Sequence, residues 1–358
     1  MAEDGTLGAR NDVRVVSTEH KMGINASPTC VLAFGDDGEG AVGELIGEVD
    51  AGMRYMFTMM NNARLAVGQQ GQALAERAYQ HAVAHAMSRV QGRPVGGSVG
   101  DPIVGHPDVR RMLLTMRSQI EAMRHLLFLN ARAIDDARHH PDPAARTAAQ
   151  ELVELLTPLS KAWCTDLGNE LCSLAVQVHG GMGFVEETGV AQLYRDVRIA
   201  AIYEGTNGIQ ALDLMGRKLG LRQGGVMADL VNRMRADVKA LETVPGIADL
   251  ADGMSRSLDT LEELTGWMLT AGRSQAADAM AGATPYLRVV STVVGGWLMV
   301  RQALAAAVDP SDPYLAAKVA TSRFYIEQIL PTIDGLVAQV RGTAAPLFAV
   351  PDAMLASR

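Results

Sequence analysis

The chain has 358 residues, a formal net charge of −8, 48% hydrophobic residues and only 4% aromatic ones. Such a length admits more than one domain, and an acidic balance excludes a general phosphate-backbone binder, whose domains are basic. A core built from Ala, Leu, Met and Val favours helices over sandwiches. Cys30, Cys164 and Cys172 form no CxxC and leave an odd count, which fits a reducing compartment and no zinc site. The polar, acidic start is not a signal peptide. The longest apolar run, Val289 to Val300, is broken by Ser291, Thr292, Gly295 and Gly296 and falls short of the roughly 20 residues of a membrane span. A soluble, cytoplasmic protein is expected.

Asp12 to Val16 and Thr29 to Phe34 are short, β-branched and apolar, with Gly, Asn, Pro and Asp around them, so they read as strands. Two or three strands are marginal alone, and nothing later in the chain offers to complete the sheet. From Glu48 the pattern turns helical: Met53, Phe57, Met60, Val67, Leu74 and Ala78 keep helical spacing towards Arg89. After a Gly/Pro-rich loop, Gly92 to Pro107, a second helix carries Leu113, Met116, Ile120, Met123, Leu127, Ala131 and Ile134. Asp142 then Pro143 is an N-cap and first-turn pair. It opens a helix with an apolar stripe from Leu152 to Val178, expected to kink at Pro158 and to end at Gly180. A shorter helix is expected from Val190 to Ile202 and another from Asn207. Together these make an antiparallel helical bundle. Gly220 to Gly225 reads as a linker. Helices over Leu230 to Leu241, Met254 to Leu269, Leu287 to Ala307 and Leu315 to Val340 then form a second helical domain, for packing or oligomer contacts. The fold class is therefore mainly α, with segments 1–45, 46–220 and 221–358.

The chemistry concentrates between Gln177 and Gln210. Gly180, Gly181 and Gly183 let a backbone approach a ligand closely or simply cap a helix. The cluster follows a helix, not a strand, so it is no dinucleotide fingerprint, though N–H groups at such a turn can hold a pyrophosphate. Glu204 sits among Ile199, Ala200, Ala201 and Ile202, with Gly205 beside it. It is either a carboxylate favouring the next helix's dipole or a general base on a loop. Thr206 and Asn207 stand where a helix start caps itself or receives an anion. Arg64, in an otherwise neutral stretch, needs a structural carboxylate or an anionic ligand. His179 is a satisfied structural histidine or a site neighbour, and Arg195 with Asp196 reads as a structural ion pair. No pair of Glu-x-x-His motifs supports a metal bundle, no nucleophile elbow is present, and Cys164 and Cys172 fall on a core stripe.

The run Ile202-Tyr203-Glu204-Gly205-Thr206-Asn207-Gly208-Ile209-Gln210, with QVHGGMGF before it at the family's spacing, resembles the acyl-CoA dehydrogenase family. Arg64 to Arg89 is similar to the first helix of that family's C-terminal domain, and the segment around His20 to Gly23 to the end of its middle β domain. Residues 221–358 are similar to the added domain of the long subfamily. The resemblance implies an FAD-dependent flavoprotein of lipid metabolism and fatty-acid β-oxidation, converting an acyl-CoA to the 2,3-enoyl-CoA. It implies Glu204 as the base, Tyr203 and Gly205 as lining of the acyl pocket, and Asn61 and Arg64 on the substrate side. It also implies Arg89, Gln177, Gly180 and Gly181 around the adenosine diphosphate of FAD, and Thr206, Asn207 and Gly208 as the flavin-side turn. An electron-transfer flavoprotein as acceptor and a homo-oligomer, or a partner chain supplying N-terminal domains, follow by the same resemblance. No nucleic acid and no metal are implied. Two departures stand out. Met1 falls inside the β domain, so the helical N-terminal domain and most flavin-ring contacts are expected to lie outside this sequence. Gln91-Gly92-Arg93 and His106-Pro107-Asp108 also replace the usual residues of the loop after Arg89. The other readings are a non-catalytic helical scaffold of the same fold and a split enzyme.

Overall fold

The computed structural model describes residues 4–38 and 40–356; the expected start at Met1, Glu39 and the last two positions of the third segment lie outside the described residues. By contacts the chain forms two compact units, one running through Met60 and the other from Asn61 onward.

In the first unit, β1 (Val13–Thr18) and β2 (Cys30–Phe34) pair antiparallel, with Val13 opposite Phe34, Val15 opposite Leu32 and a bulge between Val15 and Ser17. Arg14 closes on Asp36 at 2.5 Å across the pair. Val16, Val31 and Phe34 stay about half or more exposed, so the hairpin has no core of its own.

The second unit is helical. α1 (Gly52–Ser88) enters it from the first unit, and α2 (Pro107–His139) and α3 (Pro143–His179) pack against each other along their lengths. The Asp142 side chain caps α3 by accepting the Ala144 N–H at 3.0 Å. The helix runs on through Pro158 to a left-handed Gly180. Leu155, Leu156, Leu159, Trp163 and Leu167 of α3 meet Met116, Ile120, Met123 and Leu126 of α2 in the core; each such side chain contributes about 1.5–3 kcal/mol by burial. α1 reaches α3 at backbone distance because glycines stand at the contact: a Cβ on Gly71 would lie 2.5 Å from the Cys164 carbonyl oxygen, and one on Gly168 would lie 2.9 Å from the Gly71 carbonyl oxygen.

α4 (Val190–Val197) continues as a 3-10 turn over Arg198–Ala201, so the helix expected to reach Ile202 tightens four residues early. Arg195 forks onto Glu186 at 2.6 and 3.0 Å. α5 (Asn207–Asp213) follows the turn at Glu204. The stretch expected as a linker is folded: Arg222 and Gln223 adopt left-handed angles, and Arg222 pairs with Glu151 and Asp229.

α6 (Gly225–Leu241), α7 (Leu250–Ser274), α8 (Ala276–Ala306) and α9 (Pro313–Phe324) complete the layer. The helix expected over Leu315 to Val340 is not continuous. It loosens into a π turn at Tyr325–Ile329 and a 3-10 stretch at Leu330–Leu336 before α10 (Val337–Val340). Pro331, which lacks an N–H, stands at that break. α8 is long and apolar enough to cross a membrane, but 78% of its apolar window is buried inside the fold, which makes it a core helix. It packs on α2, α3 and α5. A polar cluster fastens this contact: buried Glu121 on α2 receives Lys318 at 2.8 Å, Arg117 at 3.2 Å and the Gln302 amide at 2.8 Å. His125 shares Gln302 Oε1 at 2.9 Å. Burial pushes the Glu121 carboxyl up, but hydrogen bonds from Lys318 and Gln302 prevail and hold it below its ordinary value.

Two outcomes are expected. Gly71→Ala, a change that by helix propensity alone would stabilise, should lower stability by about 1–3 kcal/mol because the contact has no room; a denaturation midpoint equal to or above that of the parent would refute the backbone contact. Glu121→Gln should lower the melting temperature at neutral pH, with a loss of about 3 kcal/mol for an unpaired Lys318. Because the folded carboxyl titrates below its unfolded value, that advantage is full above roughly pH 4.3 and is lost as pH falls through the folded-state value. The two melting curves should therefore converge in acid.

Candidate active site

α3 carries the site at two levels. Its C-terminal end, Gln177 to Gly181, lines a cavity of about 620 Å³ together with Arg89 at the end of α1. The four residues read from sequence as one group (Arg89, Gln177, Gly180 and Gly181) are thus brought together. The Ile103 N–H donates to the Arg89 carbonyl at 2.8 Å and pins the chain there. Arg89 is exposed, with no carboxylate at ion-pair distance among the described residues. Cβ positions on Gly180 and Gly181 would meet nothing within 4 Å, so the glycine backbone is open to the cavity. His179 is buried, bonds the Ala175 carbonyl through Nδ1 at 2.7 Å and stacks on His85 at 4.5 Å, the structural role its position suggested. Burial, then His179 and Arg89, push His85 below its ordinary value. Gln91 and His106, from the divergent loop, line the same cavity, and His106 Nε2 lies 2.9 Å from the Gln91 carbonyl. Sequence reading had noted these only as departures from a pattern.

At the second level, α4 and the 3-10 turn after it deliver Tyr203, Glu204 and Gly205 to the start of α5. Glu204 is half-buried, and its φ of 56° lies in the left-handed region, as does the 82° of Gly205. For glutamate that conformation costs about 1–3 kcal/mol; a Cβ on Gly205 would stand 2.8 Å from Gln210 Nε2. Tyr203 donates its hydroxyl proton to Gln70 on α1, and burial pushes its phenol above the ordinary value, partly offset by that bond. Thr206 caps α5 by accepting the Ile209 N–H at 3.4 Å. Thr206, Asn207 and Gly208 line a second cavity of about 670 Å³, with Asp166, Arg198 and Arg288 on its wall.

Arg64 is buried. Its partners are Asn61 Oδ1 at 3.3 Å and the buried Asp213, a carboxylate of α5, at 3.8 Å. Arg64 Nε and Gln210 Oε1 are buried without a hydrogen-bond partner among the described residues, as groups awaiting a ligand are. The Asn207 side chain is fully committed inward. Its Nδ2 donates to Asp166 at 2.6 Å and to the Ala162 carbonyl at 3.1 Å, while Oδ1 accepts from Lys161 at 2.8 Å. Only its backbone N–H is left for a ligand outside. Lys161 is the residue that sequence reading passed over. Its signal was present: one charge at a core position of the stripe between Leu159 and Trp163. Taken together, the site offers a carboxylate on a strained turn, a cation and amides beside it, and a separate glycine-lined cavity with an unpaired arginine.

Residues 50–219 match the family described as acyl-CoA dehydrogenase, C-terminal domain, and residues 230–351 match acetyl-CoA dehydrogenase C-terminal like. Among curated proteins, 3-methylmercaptopropionyl-CoA dehydrogenase of Ruegeria pomeroyi is 45% identical over 97% of this chain and 59% of its own length. A butyryl-CoA dehydrogenase of Syntrophomonas wolfei is 36% identical over 95% of this chain and 58% of its own length. The chain therefore spans about three fifths of the curated relatives it matches. In fold it is similar to an acyl-CoA dehydrogenase complexed with FAD from Bacillus anthracis, with a TM-score of 0.74 at 20% identity, over 92% of this chain and 56% of that one. By these matches the chain belongs to the acyl-CoA dehydrogenase family.

Proposed function

We propose that the chain provides the catalytic base and part of the cofactor site of an FAD-dependent acyl-CoA dehydrogenase, which introduces a 2,3 double bond into an acyl-CoA thioester. The observation that carries this is Glu204: an acidic residue held in a left-handed conformation, half-buried, beside the buried Gln210 amide, whose Oε1 has no hydrogen-bond partner among the described residues. Strain of that kind persists where the surrounding fold imposes it, and it collects at functional sites.

The residues present fit the cofactor. An unpaired Arg89, the Gln177 amide and an open glycine backbone around one cavity suit a diphosphate. The backbone N–H groups at the start of α5, capped by Thr206, suit a second anionic or polar edge. FAD, when bound, accepts the β hydrogen of the substrate as hydride. Glu204 takes the α proton onto a carboxylate oxygen, so the C–H electron pair enters the new double bond while the hydride departs from the neighbouring carbon. The Glu204 backbone N–H is a donor for the developing thioester enolate. Tyr203 and Gly205 shape the acyl side, and Arg64 with Asn61 faces the substrate from α1.

The same reading makes an electron-transfer flavoprotein the electron acceptor and assigns the protein to a homo-oligomer or to assembly with a chain carrying the remaining contacts. The three free thiols support a reducing, cytoplasmic setting. The segments 1–45, 46–220 and 221–358 are proposed as its family domains, supported by matches that part between residues 219 and 230, although by contacts the two helical segments form one compact unit.

Three measurements test the proposal. The purified chain, with FAD and if needed a complementing chain, should show near-stoichiometric flavin bands and oxidise a member of a panel including butyryl-CoA and 3-methylmercaptopropionyl-CoA. A colourless, inactive protein in both formats sinks the enzyme reading in favour of a helical scaffold. Glu204→Gln should lower kcat by about 10²–10⁴-fold while flavin absorbance is retained; undiminished turnover removes Glu204 as the base. Arg89→Ala should weaken FAD binding by about tenfold or more with the melting temperature of the flavin-free chain unchanged. Equal affinity would take Arg89 out of the cofactor site.

A further inference from the structure

Lys161 lies near the middle of α3 with its side chain fully buried. A buried ammonium is costly unless it is paired and hydrogen-bonded. Here the hydrogen-bond acceptor is an amide: Lys161 Nζ donates to Asn207 Oδ1 at 2.8 Å. The nearby carboxylate, Asp166, is engaged from the other side of the same amide, accepting Asn207 Nδ2 at 2.6 Å. Thr165 Oγ1 at 2.9 Å and the Ala162 carbonyl at 3.1 Å also accept from Nδ2. One turn of α3, residues 161–166, thus grips every polar atom of one asparagine side chain. A cation on its oxygen and an anion on its nitrogen polarise the amide in the same sense and strengthen both bonds.

The position of that asparagine gives the grip its meaning. Asn207 is the first residue of α5, three residues after Glu204 and directly after the Thr206 cap. Glu204 and the Gly205 that follows it are two consecutive residues of positive φ. Among the described residues the turn has further ties on its other side: the Gln210 amide reaches the Glu204 carbonyl at 3.5 Å, the Tyr203 hydroxyl donates to Gln70, and the Ile202 and Tyr203 N–H groups bond back to Ile199. A strained turn relaxes unless its ends are fixed. We propose that Lys161 is a positioning residue for Glu204, acting through Asn207 to hold the left-handed turn that sets the direction of the carboxylate. Burial, the largest influence, pushes the Lys161 ammonium down to about 8, with Asp166 and Glu204 favouring the charge and Arg64 opposing it. At neutral pH it is still the charged form that meets the Asn207 oxygen. Burial likewise raises the Asp166 carboxyl, against the bond from Asn207.

The catalytic part of this inference rests on the dehydrogenase reading, whereas the anchoring part does not, and the test separates them. Hydrogen–deuterium exchange on the flavin-free chain reads the Ile209 and Gln210 amides, which close onto Thr206. Lys161→Met should accelerate both by about tenfold, with amides in α7 unchanged. Asn207→Ala, which removes the acceptor and keeps the lysine, should give the same acceleration. The double variant should exchange no faster than either single one, since both cut one link. Unchanged exchange in Asn207→Ala, or additive effects in the double variant, overturns the anchor. Should Lys161→Met fail to fold, Asn207→Ala alone decides. In the flavin-loaded enzyme, Lys161→Met should lower kcat by up to about a hundredfold with the acyl-CoA KM unchanged. A matching rise in KM, or an unaltered kcat beside faster exchange, overturns the positioning role. A parent enzyme without turnover counts against the dehydrogenase reading, and the exchange measurements then judge the anchor by themselves.

Discussion

The close approach of α1 to α3 is the constraint on which the helical unit depends. Gly71 and Gly168 let the two backbones touch, with Gly68 set against the Ser160 carbonyl in the same seam. Backbone meets backbone at these points, so a shift of one helix along the other would drive a side chain into the contact. α3 then acts as a ruler. Its 161–166 turn meets the start of α5, and its end at Gln177 to Gly181 meets Arg89 at the end of α1. Those two stations are about 15 residues apart from centre to centre, roughly 23 Å along a helix.

The helices added after residue 220 are joined to this framework by chemistry as well as by apolar packing. Trp163 of α3 and Tyr325 both press on the bare backbone of Gly295 in α8, and Tyr325 donates to the Thr292 carbonyl at 3.0 Å. Glu121 meanwhile gathers contacts from α8 and α9. Apolar faces slide past one another easily, whereas a buried carboxylate with three donors has one satisfactory position. The cluster gives the interface a register.

Much of the fold was legible because helical periodicity and caps are local signals. The Asp142–Pro143 start, the Gly180 end and the paired strands all needed only neighbours to be read. What escaped reading was non-local. The break at Tyr325–Leu336 follows from Pro331 but takes its π form from the packing of Tyr325 against α8. Arg195 reaches Glu186, nine residues back along the chain, a partner that local pattern did not point to. At the site, Glu204 and the glycine group were recognisable from their run of residues. The inward commitment of Asn207 and the burial of Lys161 depend on which face of α3 looks at α5, and only the folded chain shows that.

The burial of α8 has a consequence for how the protein is made. α8 begins roughly a hundred residues after α3 ends, so a ribosome needs about 5–20 s to reach it. During that interval the faces of α2, α3 and α5 that it covers stand wet and unmatched. When α8 emerges, it is the most apolar helix of the chain and the only described one fit for a bilayer by length and composition. The nascent protein therefore passes through a stage in which its missing keystone and its stickiest segment are the same element, and a chaperone holding the early helices open until then would serve it well.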